Sequence, residues 1–147
     1  TPQSSLTLAN FVLTQLYAAF APLRIGFDIL TQEEGIRMER MIAHGGLFRT
    51  PHIAQQVLAN MLDVPVAVMK TAAEGGAWGM AVLALYAFRG RGEDLADFLD
   101  REVFAATDGE TLTPDVAGVR GAQEFIARYR AALPIEDAAG NALTYDG

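Results

Sequence analysis

Gly45 and Gly46 are the residues whose type and spacing most directly suggest chemistry. They end an apolar run in the stretch "MIAHGGLFRTP", and Thr50-Pro51 follows shortly afterwards. Glycine weakens a strand unless a turn or an external molecule requires a bare backbone. The pair Thr-Pro is typical of a helix start, with Thr50 as N-cap and Pro51 as the first helical residue. The pattern predicts a strand end, a bare turn and a helix N-terminus in close succession.

Such an arrangement suits a phosphate group or a flat ring. Backbone N–H groups at a helix N-terminus attract anions, and glycine lets a ligand approach the main chain closely. The alternative is a tight strand-to-helix turn that binds nothing, and the local pattern leaves both open. The sequence contains no GxxxxGK[ST] stretch, which excludes a Walker-type ATP loop.

A second glycine cluster lies in "TAAEGGAWGMAVLAL", where Gly75, Gly76 and Gly79 stand at helical spacing. Each glycine in a helix costs about 0.5–1 kcal/mol relative to alanine. That cost is tolerable when a partner helix, a hinge or a ligand fills the space; a tightly packed internal helix is the other interpretation. We expect Trp78 to pack in a core or between lobes, and Glu74 to interact with the helix dipole.

Hydrophobic periodicity predicts the elements that position these glycines. One apolar stripe predicts a long helix over 8–34, which Pro22 should kink or divide and Gly35 should end. The stretches "RMIAH" and "VPVAVM" then predict two strands. A helix from Pro51 to Leu62 should separate the strands, and a helix from about Ala73 through Phe88 should follow the second one.

This β-α-β-α order implies a parallel strand pair joined by a right-handed crossover. Ligands of open α/β sheets bind beyond the carboxyl ends of parallel strands, which is where the first glycine pair lies. Further along the chain we expect a helix around 95–104, a polar loop over 107–115 and a helix around 122–133. The last dozen residues, 136–147, look frayed.

Composition narrows the classes of protein. A chain of 147 residues that is 51% hydrophobic predicts one folded domain. The net charge of −7 and the scattered basic residues argue against a nucleic-acid partner. No apolar run approaches the roughly 20 residues of a membrane span, so no membrane partner is expected. The first residue is threonine rather than methionine, which suggests a processed or partial chain.

Cysteine and histidine usage bears on metals and location. The chain has no cysteine, which excludes disulfides and thiolate metal sites and fits a reducing compartment, so we expect a cytoplasmic protein. His44 and His52 do not have the spacing of a zinc motif. No metal site is therefore expected in this chain.

The stretch "HGGLFRTPHIAQQVLANMLDVPVAVMKTAAEGGAWGMAVLALYA" resembles the C-terminal lobe of the FGGY carbohydrate kinases, members of the actin-like ATPase superfamily. Such lobes carry a strand ending in Gly-Gly, a helix that often opens with Ser/Thr-Pro, a D-[IV]-P-V strand and an E-x-x-A-x-G-A-A helix. The counterparts here are Gly45-Gly46, Thr50-Pro51, "DVPVAV" and Glu74 to Ala81. The flanking segments resemble the xylulokinase and ribulokinase branch more loosely.

The resemblance implies an α/β fold of the ribonuclease H-like, actin-like ATPase type. Its core would be β-α-β-α with additional helices, and the sheet formed by this chain alone can be incomplete. Residues 1–147 would form the C-terminal part of a kinase nucleotide-binding lobe. Its predicted parts are a helical lead-in over 8–34, a nucleotide core over 35–89, a helical tail over 90–135 and a frayed end over 136–147.

The resemblance also implies roles for the glycine clusters. Gly45 and Gly46 would pass beneath the adenosine and α-phosphate of ATP, and Thr50 would lie near adenine or ribose. The residues that would line the same pocket are Leu47, Phe48 and Arg49. The helix with Gly75, Gly76 and Gly79 would form an interlobe hinge.

The implied activity of the parent protein is transfer of the ATP γ-phosphate to a ketopentose such as xylulose or ribulose. ATP and Mg²⁺ would be its cofactors, and the parent protein can be expected to form a homodimer. The "DxGT" phosphate hairpin and the "GDxxA" base of such kinases do not occur in this sequence. No catalytic residue is therefore expected here, Mg²⁺ and the sugar would be held mainly by an upstream lobe, and this chain alone should be inactive. The alternative is a non-catalytic nucleotide-binding or interaction module of the same superfamily.

Overall fold

The computed structural model of the chain describes residues 5–69, 75–90, 92–104 and 109–143. The helices are α1 (Leu8–Asp28), α2 (Ile53–Leu62), α3 (Gly75–Arg89), α4 (Leu95–Phe98) and α5 (Val116–Ala142). The strands are β1 (Met41–Ala43), β2 (Val66–Met69) and β3 (Gly109–Leu112). Short π-helical segments continue α1 over Ile29–Glu33 and α4 over Leu99–Phe104, and a 3₁₀ turn spans Gly46–Arg49.

The described residues form two compact units. The first contains residues 5–38, 60–63 and 114–143, and the second contains residues 39–59, 64–69, 75–90, 92–104 and 109–113. The first unit is helical and includes α1 and α5; the second holds the sheet with α3 and α4. Both glycine clusters belong to the second unit.

The sheet of the second unit has the strand order β1-β2-β3. β1 and β2 run parallel, with Met41 opposite Val66 and Ala43 opposite Val68, and α2 lies between them in sequence. The predicted parallel pair with a helical crossover is therefore confirmed. The apolar side chains that form the core of this unit are Ala43, Ala54, Val57, Leu58, Ala59, Val64, Val66, Ala67, Met69 and Phe98.

β3 corrects the prediction of a polar loop over 107–115. Residues 109–112 pair antiparallel with β2, with Leu112 opposite Val66. The Gln55 side chain of α2 joins the two strands, since its Nε2 donates to the carbonyl oxygens of Val66 (2.9 Å) and Glu110 (2.8 Å). The sequence "GETL" shows no apolar alternation because three of its four residues are exposed, so periodicity could not reveal this strand.

The long N-terminal helix is confirmed, with Thr7 as its N-cap and Gly35 just past its end at φ +67°. Of the two expectations for Pro22, a kink or a division of the helix, the division is wrong, because α1 continues through this residue to Asp28. Proline removes one backbone donor, and the hydrogen bonds on either side of it can continue the helix when packing supports them. Phe20, Ala21 and Phe27 provide that packing on both sides of Pro22, since all three are buried.

α5 is longer than predicted at both ends. It begins at Val116 rather than near 122, because the Asp115 side chain accepts a hydrogen bond from the Gly118 N–H (2.7 Å) and caps the helix. It continues through Pro134 to Ala142, so the expected frayed end over 136–147 is wrong for residues 136–142. That segment, "EDAAGNA", contains three alanines, which favour helix after the proline.

A hydrogen-bonded group around Asp115 joins two segments of the first unit. Asn60 Nδ2 donates to Asp115 Oδ2 (2.8 Å), and the Asp115 N–H donates to Asn60 Oδ1 (2.9 Å). The hydrogen bond from the Gly118 N–H, followed by that from Asn60, lowers the pKa of the Asp115 carboxyl below its usual value. Ionised Asp115 is thereby the form that the fold favours.

Asp28 provides a second polar contact in this unit. Its carboxylate accepts hydrogen bonds from Arg24 Nε (2.7 Å), Arg130 Nη2 (2.7 Å) and Gln32 Nε2 (3.2 Å), and Arg24 also donates to the Met61 carbonyl. Asp28 is buried, and these partners offset the cost of removing its carboxylate from water. The aromatic rings of Tyr17 and Phe125, 5.1 Å apart, pack α1 against α5.

The helical stretch Leu8–Glu33 is long and apolar enough to cross a membrane if only length and composition are considered. This finding differs from the expectation that no stretch of the sequence has that property. Only 11% of its most apolar window is buried in the structure. One such helix near an N-terminus is weak evidence for a membrane span, because core helices of soluble proteins and signal sequences meet the same criteria.

We expect Gly118→Ala to lower the free energy of unfolding by about 1–2 kcal/mol. A Cβ at Gly118 would overlap the Asn60 amide and lie 2.7 Å from Asp115 Oδ2, so the cap and the Asn60 contact would be displaced. Gly121→Ala on the same helix is the control, because its Cβ would lie 3.7 Å from the Tyr17 hydroxyl, an ordinary contact. Urea unfolding followed by circular dichroism measures both; equal changes in the two variants would contradict the role of Gly118.

Candidate functional site

The first glycine pair lies where the sequence predicts, at the carboxyl end of strand β1. Gly45 has φ 117° and ψ 169°, a conformation that side-chain-bearing residues rarely adopt. A Cβ at Gly45 or at Gly46 would meet no atom within 4 Å. Gly45 is thus required by its backbone conformation, whereas Gly46 borders open space without backbone strain.

Gly46 and the three residues after it form a 3₁₀ turn (Gly46–Arg49). The Phe48 N–H donates to the Gly45 carbonyl oxygen (3.1 Å) at the start of this turn. Within it, Leu47 and Arg49 are exposed and Phe48 is half-buried. The structure therefore brings the predicted site residues 45–50 together in one continuous loop. It gives this loop two apolar side chains and one cation beside a bare backbone.

The predicted helix start at Thr50-Pro51 is wrong. Thr50 is extended (φ −84°, ψ 112°) and α2 begins at Ile53. Thr50 has the extended backbone of an N-cap residue, but the left-handed backbone of His52 interrupts the helix between Pro51 and Ile53. The His52 carbonyl accepts the first helical hydrogen bond, from the Gln56 N–H (2.8 Å).

His52 itself has an unusual backbone, with φ 69°. Its Nε2 lies 2.9 Å from Glu110 Oε2 of β3, and both side chains are more than half exposed. Left-handed conformations cost a residue other than glycine of the order of 1 kcal/mol or more and cluster near functional sites. His52 and Glu110 were not singled out from the sequence as a pair, because 58 positions separate them and no local pattern connects them.

The second glycine cluster divides into one contact and two open positions. A Cβ at Gly75 would lie 2.9 Å from His44 Cβ, so the first residue of α3 touches the residue that precedes Gly45. A Cβ at Gly76 or Gly79 would meet no atom within 4 Å. A close contact is thus found at Gly75, with the side chain of His44, while the hinge role of the three glycines stays a prediction.

Trp78 packs on the same histidine. The indole and imidazole rings are stacked, with centroids 5.7 Å apart and planes 18° apart. This agrees with a packing role for Trp78 rather than a base-stacking one. Glu74, the expected dipole partner, lies outside the described residues.

α3 has apolar residues on a face that its own unit leaves uncovered. None of its residues is buried, and Met80, Leu83 and Phe88 are 69%, 51% and 73% exposed. Its other face is half-buried and is held near the C-terminal end by Tyr86, whose ring meets Phe98 at 5.2 Å and whose hydroxyl donates to the Glu93 carbonyl (2.7 Å). Apolar side chains all around a helix are typical of one that is covered on both faces.

A small cavity of about 110 Å³ opens on the sheet. Its lining residues are Arg40, Ile42, Ala67, Met69, Phe104, Gly109 and Thr111. None of the predicted loop residues 45–50 lines it. Nor do the described residues include a group of three or more His, Asp or Glu side chains that could hold a metal ion.

We expect Gly45→Ala to lower the free energy of unfolding by about 1–2 kcal/mol, because alanine is disfavoured at a φ of 117°. Gly46→Ala is the matched control on the adjacent residue and should change stability by less than about 0.5 kcal/mol. Chemical denaturation of both variants measures the difference. Equal stability of the two variants would contradict the conformational requirement at Gly45.

Comparison with known proteins identifies the family. Residues 1–88 match the C-terminal domain of the FGGY family of carbohydrate kinases. Among solved structures, the chain is similar to ligand-bound xylulose kinase from Lactobacillus acidophilus, with a TM-score of 0.53 and 20% sequence identity. That similarity covers 74% of this chain and 21% of the xylulose kinase chain, so this chain spans about a fifth of that protein's length.

No curated protein matches the chain. The structural similarity shows a fold shared with that xylulose kinase, and among the described residues this fold is largely helical with a three-stranded sheet, which is consistent with an actin-like ATPase lobe. The family match covers more than half of the chain and includes both glycine clusters. The chain therefore belongs to the FGGY family of carbohydrate kinases, as part of its C-terminal domain.

Proposed function

We propose that the protein containing this chain is an ATP-dependent sugar kinase, and that residues Gly45, Gly46, Leu47, Phe48, Arg49 and Thr50 contribute to its nucleotide site. The observation that carries the proposal is the bare Gly45-Gly46 turn at the carboxyl end of a parallel strand, in a chain of the FGGY family. Ligands of α/β sheets bind at such strand ends. A cytoplasmic location is part of the proposal.

Open space at Gly46 and the side chains of residues 47–49 support a nucleotide at this loop. The space beside Gly46 is large enough that a Cβ there meets nothing within 4 Å, so adenosine can approach the main chain. Leu47 and Phe48 offer apolar surface to a ring, and Arg49 offers a positive charge to phosphate oxygens. In this protein of net charge −7, that cation offsets the general repulsion of an anion.

The sugar is proposed to be a ketopentose such as xylulose or ribulose. Support comes from the structural similarity to a xylulose kinase and from the resemblance of the sequence to that branch. Residues of the upstream lobe would select and hold the sugar. The alternative, a non-catalytic nucleotide-binding module, is separated from the kinase by sugar-dependent turnover of the complete protein.

Phosphoryl transfer depends mainly on positioning and on electrostatic stabilisation of the transferred group. This chain would contribute the positioning of the nucleotide: Gly45 and Gly46 admit it, and residues 47–50 orient it. Mg²⁺ neutralises charge on the phosphate oxygens when bound. Its ligands and the general base would come from the upstream lobe, as the resemblance to FGGY kinases implies.

The exposed apolar face of α3 fits a role between lobes. Met80, Leu83 and Phe88 would be covered by the upstream lobe, and the hinge would be formed at Gly75, Gly76 and Gly79. The open space at Gly76 and Gly79 lets another backbone approach α3 closely. Closure of two lobes about such contacts excludes water from the site of transfer.

In the complete kinase, we expect Gly46→Val to raise the KM for ATP about 10-fold or more while the KM for the sugar changes less than about 2-fold. The valine side chain would enter the space proposed for nucleotide and no other site. Gly140→Val is the control, because Gly140 also borders open space but lies in α5. Equal effects on both KM values in a folded variant would refute the nucleotide assignment.

We expect the 147-residue chain alone to show no sugar-dependent release of ADP. Loss of a positioned general base costs about 10²–10⁴ in rate, and loss of a closed cleft adds to that. The measurement is ADP release with xylulose or ribulose present, compared with a mock preparation, alongside calorimetric titration with ATP. Turnover above the mock level would place the catalytic groups within this chain.

A further inference from the structure

We infer that His44 is a positioning residue for the loop of residues 45–50: it holds the Gly45-Gly46 turn against helix α3. The inference rests on the proposed function, because its effect is measured on ATP. His44 stands between the last residue of β1 and Gly45, so it is the last side chain before the bare backbone. Contacts that restrain His44 therefore also restrain the loop at the point where it leaves β1.

Two contacts hold His44 against α3. The backbone of α3 approaches it so closely that a Cβ at Gly75 would lie 2.9 Å from His44 Cβ. One turn further along, the Trp78 indole stacks on the imidazole with centroids 5.7 Å apart and planes 18° apart. Residues three apart share a helix face, so Gly75 and Trp78 present one surface to this single side chain.

The imidazole is oriented by packing. Its Nδ1 atom is buried, and among the described residues no group forms a hydrogen bond with it. Stacking on Trp78 and contact with Gly75 are thus the interactions that the structure gives for this side chain. An aromatic ring without nitrogens should preserve them, whereas alanine should not.

The loop needs such positioning because consecutive glycines have the greatest backbone freedom of any residue pair. Ordering them on binding costs affinity unless the neighbouring chain already holds them. The Phe48 N–H to Gly45 carbonyl hydrogen bond (3.1 Å) restrains the loop side, and His44 restrains the strand side. Loss of the His44 contacts should therefore weaken ATP binding without affecting the sugar.

The test uses the complete kinase and measures KM for ATP and for the sugar. We expect His44→Ala to raise the KM for ATP about 5–10-fold with the sugar KM changed less than about 2-fold, and His44→Phe to restore the ATP KM to within about 2-fold of the original. Uniform structural damage would instead alter both KM values and would not be rescued by phenylalanine. An unchanged ATP KM in His44→Ala, or failure of the phenylalanine rescue, overturns the inference.

Gly75→Ala tests the same contact from the helix side. Its methyl group would displace His44 or α3, so we expect a selective rise in the ATP KM, even if His44→Ala proves unable to fold. Gly26→Ala, a helical glycine bordered by open space in α1, is the control and should leave both KM values unchanged. An unchanged ATP KM in Gly75→Ala overturns the inference.

Tryptophan emission gives a readout that a merely structural role would not change. The emission of Trp78 is the difference between the original protein and Trp78→Phe. This difference should change as ATP is added, and the change should be lost in His44→Ala. Absence of the response in the original protein contradicts the coupling.

The KM for ATP separates this inference from the proposed function. If Gly46→Val leaves the ATP KM unchanged, the proposed nucleotide loop is wrong and the inference with it. If Gly46→Val raises the ATP KM and His44→Ala does not, the inference alone is overturned.

Discussion

Parallel pairing of β1 with β2 determines where the loop of residues 45–50 can lie. Two parallel strands cannot be joined by a tight turn, so the chain must leave the end of β1, cross over through α2 and return to the start of β2. Both strands then finish at the same edge of the sheet. The loop after β1 begins with Gly45, and Gly75 follows β2 in sequence, so Gly75 contacts His44, the residue before Gly45, although 31 positions separate them.

The regular elements were predictable where apolar residues repeat with a clear period. The stripe of α1 and the apolar runs of β1 and β2 were interpreted correctly for this reason. β3 was missed because its side chains are mostly exposed, so its pairing depends on backbone hydrogen bonds to β2 and on the Gln55 amide. Neither interaction leaves a periodic pattern in the sequence.

Local signals were misleading at several helix boundaries. Thr50-Pro51 has the composition of a helix start, and Thr50 is extended as an N-cap would be, yet the left-handed His52 delays the helix to Ile53. Pro22 was given too much weight as a helix breaker, since α1 continues through it, and α5 likewise continues through Pro134. In α5 the decisive signal was Asp115, an N-cap that was hidden within a segment interpreted as loop.

The predicted loop residues 45–50 lie together because they are contiguous in sequence. Their proximity therefore does not depend on whether the helix and strand boundaries around them were predicted correctly. The contact between His44 and α3 was not predictable, because it depends on how closely the start of α3 approaches the end of β1. That distance is set by Gly75, where any larger residue would meet His44 Cβ. The structure thus gives Gly75 and Gly76 different roles despite their identical chemistry: one permits a contact within this unit, and the other leaves a surface open.

A helix with apolar residues on both faces is stable when both faces are covered, and the half-buried face of α3 already contacts His44. A partner that covered Met80, Leu83 and Phe88 would therefore contact the same helix whose other face packs on His44, and under the proposed function this contact would link lobe closure to the nucleotide loop.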